Sequence, residues 1–225
     1  VTGALEAEAR KLATTRSALW LTLSVAVLAL GLAAMTKDPL LGVANFGVPV
    51  LMILSALTVT GEYRTAMIRT TFLATPRRTG VLAAKALVTA GFSAVVAAAM
   101  TAGSILIAGS GEWCSVGALA LYAAAGAVLA VAVGALLRHT AAAVAVLLLV
   151  PFVVEPMLSV STDIGGTVGP LLPFVNAAAF TGASIFGFLH SFSMWWGPQG
   201  SALYFGGVAL GIFAAAVVVV ERRDP

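Results

Sequence analysis

The stretch VANFGVPVLMILSALTVTGEYRTAMIRTTFLATPRRTGVLAAK, Val43–Lys85, organises the reading of the whole chain. Its first 18 residues, Val43–Thr60, carry no charge. Five charges, Glu62, Arg64, Arg69, Arg77 and Arg78, then crowd into seventeen residues before apolar sequence resumes at Val81. A helix needs about 20 apolar residues to cross a hydrocarbon core of about 30 Å. The stretch therefore reads as one membrane span, a charged connection, and the start of the next span.

The rest of the chain repeats this alternation. Of its 225 residues 60% are hydrophobic and only 9% charged, and the mean hydropathy is +1.06. A soluble domain carries about 25% charged residues, so an aqueous fold is excluded and the chain reads as an all-α integral membrane protein. Six spans are expected, over Ala18–Met35, Val43–Thr60, Val81–Ile107, Ser115–Leu137, Ala141–Met157 and Ser201–Val220, as a single transmembrane domain over residues 1–225. Barrel strands would be about ten alternating residues long, so the spans are helices. Pro151 and Pro156 predict a kink or an early end in the fifth. The mixed acids and bases of VTGALEAEARKLATTR do not resemble a cleavable signal peptide. Cys114 is the sole cysteine, which excludes an internal disulfide and a cysteine metal cage.

Basic residues set the expected orientation. With the N-terminus cytoplasmic, the inner segments hold Arg10, Lys11, Arg16, Arg64, Arg69, Arg77, Arg78, Lys85, Arg138, Arg222 and Arg223, and the outer ones only Lys37. Both termini are thus expected in the cytoplasm of a multi-pass plasma-membrane protein. Residues 1–17 predict a helix on the inner surface, with Leu5, Ala9 and Leu12 on one face. Leu158–Gly200, an outer segment, is too broken by Gly and Pro to span and too apolar to be a solvated loop. Its middle, Asn176–Leu189, suits a short re-entrant or interfacial helix, with Trp195 and Trp196 at the headgroup level, or else a plain anchoring loop.

Within the charged connection, Gly61 is a ready helix stop, Glu62 a favourable helix start, and Pro76 a terminator. They predict a separate helix over residues 62–75. At 100° per residue Tyr63, Ala66 and Met67 fall on one side and Ile68 and Phe72 on the other, with Arg64, Thr65 and Arg69 between. A helix lying on a membrane needs one apolar face. Two faces suit two apolar neighbours, the spans on one side and a partner protein on the other. A basic loop that only holds orientation is the competing reading.

The order EARKLATTRS, two spans, then GEYRTAMIRTTFLATPRRTGVLAAK resembles the membrane subunits of type-2 ABC transporters, the exporter-type permeases. Glu62, Tyr63, Arg64, Pro76, Arg78 and Lys85 match the family's pattern, although Arg78 stands two rather than three residues after Pro76. The resemblance covers nearly the whole chain. It implies that residues 62–75 form a cytoplasmic coupling helix docking into an ATP-binding cassette subunit through Glu62, Tyr63, Arg64, Met67, Ile68, Arg69 and Phe72. It also implies that the N-terminal helix flanks that dock, and that a second permease subunit, identical or related, completes the translocation path across spans two and five. Met52, Leu54, Leu57, Phe152 and Glu155 are the corresponding pathway candidates. Their largely apolar setting suits a lipophilic or amphipathic substrate.

The chain itself shows little chemistry. It has no G-x-x-x-x-G-K-[ST], so ATP and Mg belong to the partner, and the chain is not read as an enzyme. It has no metal cluster and no nucleic-acid motif; its environment is membrane lipid. Ser110 and His139 lie at opposite ends of their spans, and Ser184 and His190 make no convincing dyad, so an intramembrane protease is not expected. The rival reading is an ion-coupled secondary transporter or channel acting without an ATPase. It would need a charge deep in the membrane. Glu155 is the one candidate, about 22 Å along its span at 1.5 Å per residue. It is either a gate or an interfacial carboxylate beside the Pro156 break.

Overall fold

The computed structural model describes residues 2–65, 78–160, 165–183 and 194–222. These residues are 90% helical, with no strand. Six helices are long and apolar enough to cross a membrane. They are α2 (Arg16–Thr36), α3 (Val43–Arg64), α4 (Arg78–Ala108), α5 (Cys114–Leu137), α6 (spanning part Thr140–Ser159) and α9 (Pro198–Arg222). Before them comes α1 (Thr2–Thr14). Between α6 and α9 lie α7 (Gly165–Val168), a 3₁₀ turn (Gly169–Leu171) and α8 (Pro173–Thr181). Every expected span is present, each with ends within a few residues of the expected ones.

α3 is the hub. Its most apolar window is 72% buried inside the chain, against 22% for α2, α6 and α9. It packs along α5, where small residues let the two backbones close. A Cβ on Gly134 would lie 3.2 Å from the Ala56 carbonyl oxygen, and one on Gly126 would lie 3.1 Å from Met52 Cγ. Small-residue approach of this kind stands in for the hydrophobic effect, which does not drive helices together in lipid. The main core joins Val25 and Ala29 of α2, Val48, Leu51 and Met52 of α3, Leu119 and Tyr122 of α5, Phe174 of α8 and Phe205 of α9. An apolar stripe of α3 stays partly open, Phe46, Val50, Ile53 and Leu57, at spacings of 4, 3 and 4.

Two spans contain a π turn, Val43–Gly47 in α3 and Val150–Val154 in α6. In both, a proline stands two residues past the turn, Pro49 and Pro156. The carbonyl each ring would strike, four residues back, belongs to Asn45 or Phe152. Both sit inside the π turn, whose wider backbone relieves the clash. The fifth span therefore does not end early at its prolines; helix resumes over Glu155–Val160.

Two other boundaries differ from expectation. Gly61 does not stop the second span. α3 runs through it to Arg64, and the Thr65 N–H closes the end on the Gly61 carbonyl. A mid-helix glycine costs about 1 kcal/mol, which the contacts of Glu62 and Tyr63 described below outweigh. Glu62, Tyr63 and Arg64 thus form the last turn of a span rather than the first turn of a new helix. The rest of the expected coupling helix, with Met67, Ile68, Arg69 and Phe72, lies outside the described residues. In the outer segment, helix covers Pro173–Thr181 and stops at Gly182 (φ 71°), not Asn176–Leu189. Proline suits a first helical position and glycine the left-handed stop. Residues 184–193 lie outside the described residues.

Close approach at Gly42 gives a direct check. A Cβ there would sit 2.7 Å from both Ala29 Cα and the Leu28 carbonyl oxygen, so backbone must move. Gly42→Ala is expected to destabilise the bundle by about 1–3 kcal/mol. Gly117→Ala meets nothing within 4 Å and is expected to leave stability unchanged or slightly raised. Thermal unfolding of both variants in one detergent compares them.

Candidate functional site

Lys85 lies in the second turn of α4, in the otherwise apolar run VLAAKALV, and its side chain is 2% exposed. A buried ammonium needs anionic partners, and the fold supplies two. Lys85 Nζ donates to Glu8 Oε2 of α1 at 2.7 Å and to Glu62 Oε1 of α3 at 2.8 Å. Lys11 Nζ, half-exposed on α1, donates to Glu8 Oε1 and to the same Glu62 Oε1, both at 2.9 Å. The four side chains close a ring of alternating sign, formally neutral, that binds three helices. Glu62 Oε2 is buried without a partner.

The ring explains how α1 sits. Its buried face is Glu8 and Leu12, with Leu5 partly covered, and Ala9 is exposed. The expected Leu5–Ala9–Leu12 stripe is therefore turned by about one residue, because Glu8 must reach Lys85. Leu12 packs with Ala18 and Leu54 just beneath the ring. α1 ends at Thr14 and extended Thr15 turns the chain into α2, so Arg16 belongs to the first span. Burial pushes the Glu8 carboxyl up, but Lys85 and Lys11 together outweigh it and hold the group below its usual value. For Lys11 burial pulls downward, and its bonds to Glu8 and Glu62 more than reverse this, leaving it above its usual value.

Next to the ring, Tyr63 holds the Arg138 guanidinium 5.2 Å over its ring. This joins the end of α3 to the left-handed Arg138 (φ 53°) that closes α5. Val59, Leu82, Ala135 and Val220 pack together at the same end of the bundle. A cavity of about 610 Å³ opens beside the ring, lined by α1, α3, α4 and the corner residues Thr15, Ser17 and Thr140. Arg64, exposed at its rim, has no ion pair among the described residues.

The other end of the bundle has its own polar centre. Glu155 is 2% exposed, and its two oxygens accept the backbone N–H groups of Phe174 (3.0 Å) and Val175 (2.9 Å). It caps the N-terminus of α8 from a different helix, satisfying donors that Leu172, at the cap position, leaves free. Fully buried Asn176 donates to the Pro170 and Leu172 carbonyls and accepts from Trp196 Nε1 at 2.8 Å. Trp196 stacks on Tyr204, whose hydroxyl donates to the Leu171 carbonyl. Trp195 alone points outward, 59% exposed.

The candidate residues thus fall into separate places. Glu62, Tyr63 and Arg64 are together at the ring. Met52 and Leu54 are buried inside the single chain, Leu57 lies on the open stripe of α3, and Phe152 is half-buried in the π turn of α6. Glu155 lies at the opposite end, engaged with α8. Glu8 and Lys11 were not among the expected site residues. The signal for them was Lys85 itself, a lone ammonium in an apolar helix that demands a counter-charge. Among the described residues, no group of three His, Cys, Asp or Glu is placed to hold a metal.

Removing one member of the ring tests its weight. Lys85→Met leaves two buried carboxylates facing each other with one amine, and is expected to cost about 3–5 kcal/mol. Lys11→Ala removes a half-exposed partner and is expected to cost under about 1 kcal/mol. Unfolding in detergent orders the two. The ring also fixes a pH window for α1. A carboxyl held below its ordinary 4.5 stabilises above that value and loses the contribution as pH falls through its folded value. An amine held above its ordinary 10.5 stabilises below that value and loses the contribution as pH rises through its folded value. A spin label on Ala9→Cys, in a Cys114→Ser background, is expected to report α1 docked throughout the interval between those values and loosened only beyond each end.

Compared with family models, curated proteins and solved structures, the chain matches none.

Proposed function

We propose that the chain is the membrane-spanning permease subunit of an ABC exporter, coupled to a separate ATP-binding subunit. The observation that carries this reading is the ring of Glu8, Lys11, Glu62 and Lys85. It ties the last turn of α3 and the start of α4 to each other and to α1. The segment between them, residues 66–77, is the expected dock for the ATPase. A push on that segment would move three helices as one piece, because the ring joins its two flanks. The ATPase brings ATP and Mg. Both termini and the connection face the cytoplasm of the plasma membrane.

In this reading a second permease subunit covers the open stripe of α3 and the exposed Val146, Leu149, Val153 and Val154 of α6. These surfaces are apolar, which favours a lipophilic or amphipathic substrate over a sugar or an ion. Met52 and Leu54 would then support the wall from behind rather than line it.

Purification from native membranes tests the class. An ATPase that accompanies the chain supports the proposal; a chain that drives a solute along an ion gradient by itself refutes it in favour of a secondary transporter. Met67→Asp and Ile68→Asp are each expected to weaken ATPase association at least about tenfold, the worth of about 1.4 kcal/mol, with membrane insertion intact. Normal assembly and coupling in both variants would sink the docking role of residues 62–75.

A further inference from the structure

The cavity beside the ring has a charge balance that the ring does not settle. Its walls carry Glu8 and Glu62 against Lys11, Lys85 and Arg64. Three of the four carboxylate oxygens are taken up by the two lysines, and Glu62 Oε2 is left without a partner. Arg64, exposed at the rim, has no ion pair among the described residues. Beneath it the wall becomes apolar, with Leu54, Leu57 and Val88. Ser17 and Thr140 place hydroxyls at the corners of the cavity.

We infer that this cavity holds the headgroup of an anionic phospholipid, a phosphodiester of net charge −1, from the leaflet on the side of α1. A phosphodiester complements a cavity with an exposed guanidinium at its rim and hydroxyl donors at its corners. The guanidinium offers it a fork of N–H groups. The apolar wall beneath accepts the glycerol and first acyl carbons, which a soluble phosphate lacks. Basic pockets between spanning helices are known stations for anionic headgroups. Phosphatidylcholine, the zwitterionic competitor in the test below, is disfavoured. Its choline ammonium has no N–H to donate to the unpartnered Glu62 Oε2, and the other three carboxylate oxygens are held by Lys11 and Lys85. All the walls of the site belong to this chain.

The test uses the full chain, purified from vesicles of equal phosphatidylglycerol and phosphatidylcholine, with retained lipid counted by native mass spectrometry. Retained phosphatidylglycerol is expected to exceed phosphatidylcholine by about fivefold, the worth of one basic side chain near an anionic surface. In Arg64→Gln the ratio is expected to fall toward that of the vesicle. Arg64 is exposed, so the variant is expected to fold as the parent does. Arg69, Arg77 and Arg78 are unchanged in it, so a general attraction of basic residues for anionic lipid would survive. An unchanged ratio in Arg64→Gln overturns the proposal, as does equal retention of the two lipids by the parent. Glycerophosphoglycerol added at millimolar concentration is expected not to displace the lipid. If it does, the occupant is a soluble phosphodiester and the assignment to lipid fails.

Discussion

A single ammonium placed where water does not reach sets the terms for one end of this protein. Lys85 is 2% exposed in the run VLAAKALV, otherwise made of Ala, Val and Leu. A charge inside a spanning helix costs about 2.5–3.5 kcal/mol on insertion scales when it lies at the centre, and unpaired burial leaves no alternative but neutralisation. Glu62 alone would neutralise it. The addition of Glu8 and Lys11 turns a pair into a closed ring and brings an amphipathic N-terminal helix into the assembly. The rotation of α1, the continuation of α3 past Gly61, and the cavity beside Arg64 all follow from that closure.

The opposite end uses a different device. There the buried charge is a carboxylate, and it is engaged by two backbone amides instead of by a cation. Glu155 stands at the start of the helix that resumes after the π turn in α6, so the π turn aims it. The same carboxylate fixes the start of α8, and Asn176, Trp196 and Tyr204 fix α8 against α9. The short helices between α6 and α9 are thus bound to the spans through polar contacts at both of their flanks.

Much of this architecture was legible in the sequence. Six apolar runs separated by Gly, Pro and charge gave six spans, because length and hydropathy alone decide what crosses a bilayer. Boundaries set by tertiary contact were not legible. Gly61 carries a stop signal, yet Glu62 and Tyr63 are held from α1, α4 and α5, and the helix continues. Pro151 and Pro156 carry a break signal, yet a π turn absorbs it, and no local propensity announces a π turn. Leu5, Ala9 and Leu12 look like the buried face of α1 on hydropathy, which cannot anticipate that Glu8 is drawn inward by a lysine 77 residues away. The candidate site was half legible: Glu62 and Lys85 stood out as charges at the edges of apolar runs, whereas Glu8 and Lys11 resembled an ordinary solvated pair at i,i+3.

The position of Glu62 and Lys85 also bears on how the protein is made. Glu62 closes one span and Lys85 opens the next, so the two emerge from the ribosome within one helical hairpin. Entering separately, each helix would bring an uncompensated charge to the edge of the hydrocarbon; entering together, they bring a neutral pair. That favours release of α3 and α4 into the lipid as a unit. α1, which precedes the hairpin in the chain, can take its final place only after that hairpin arrives, so α1 is among the last parts of this end to be settled.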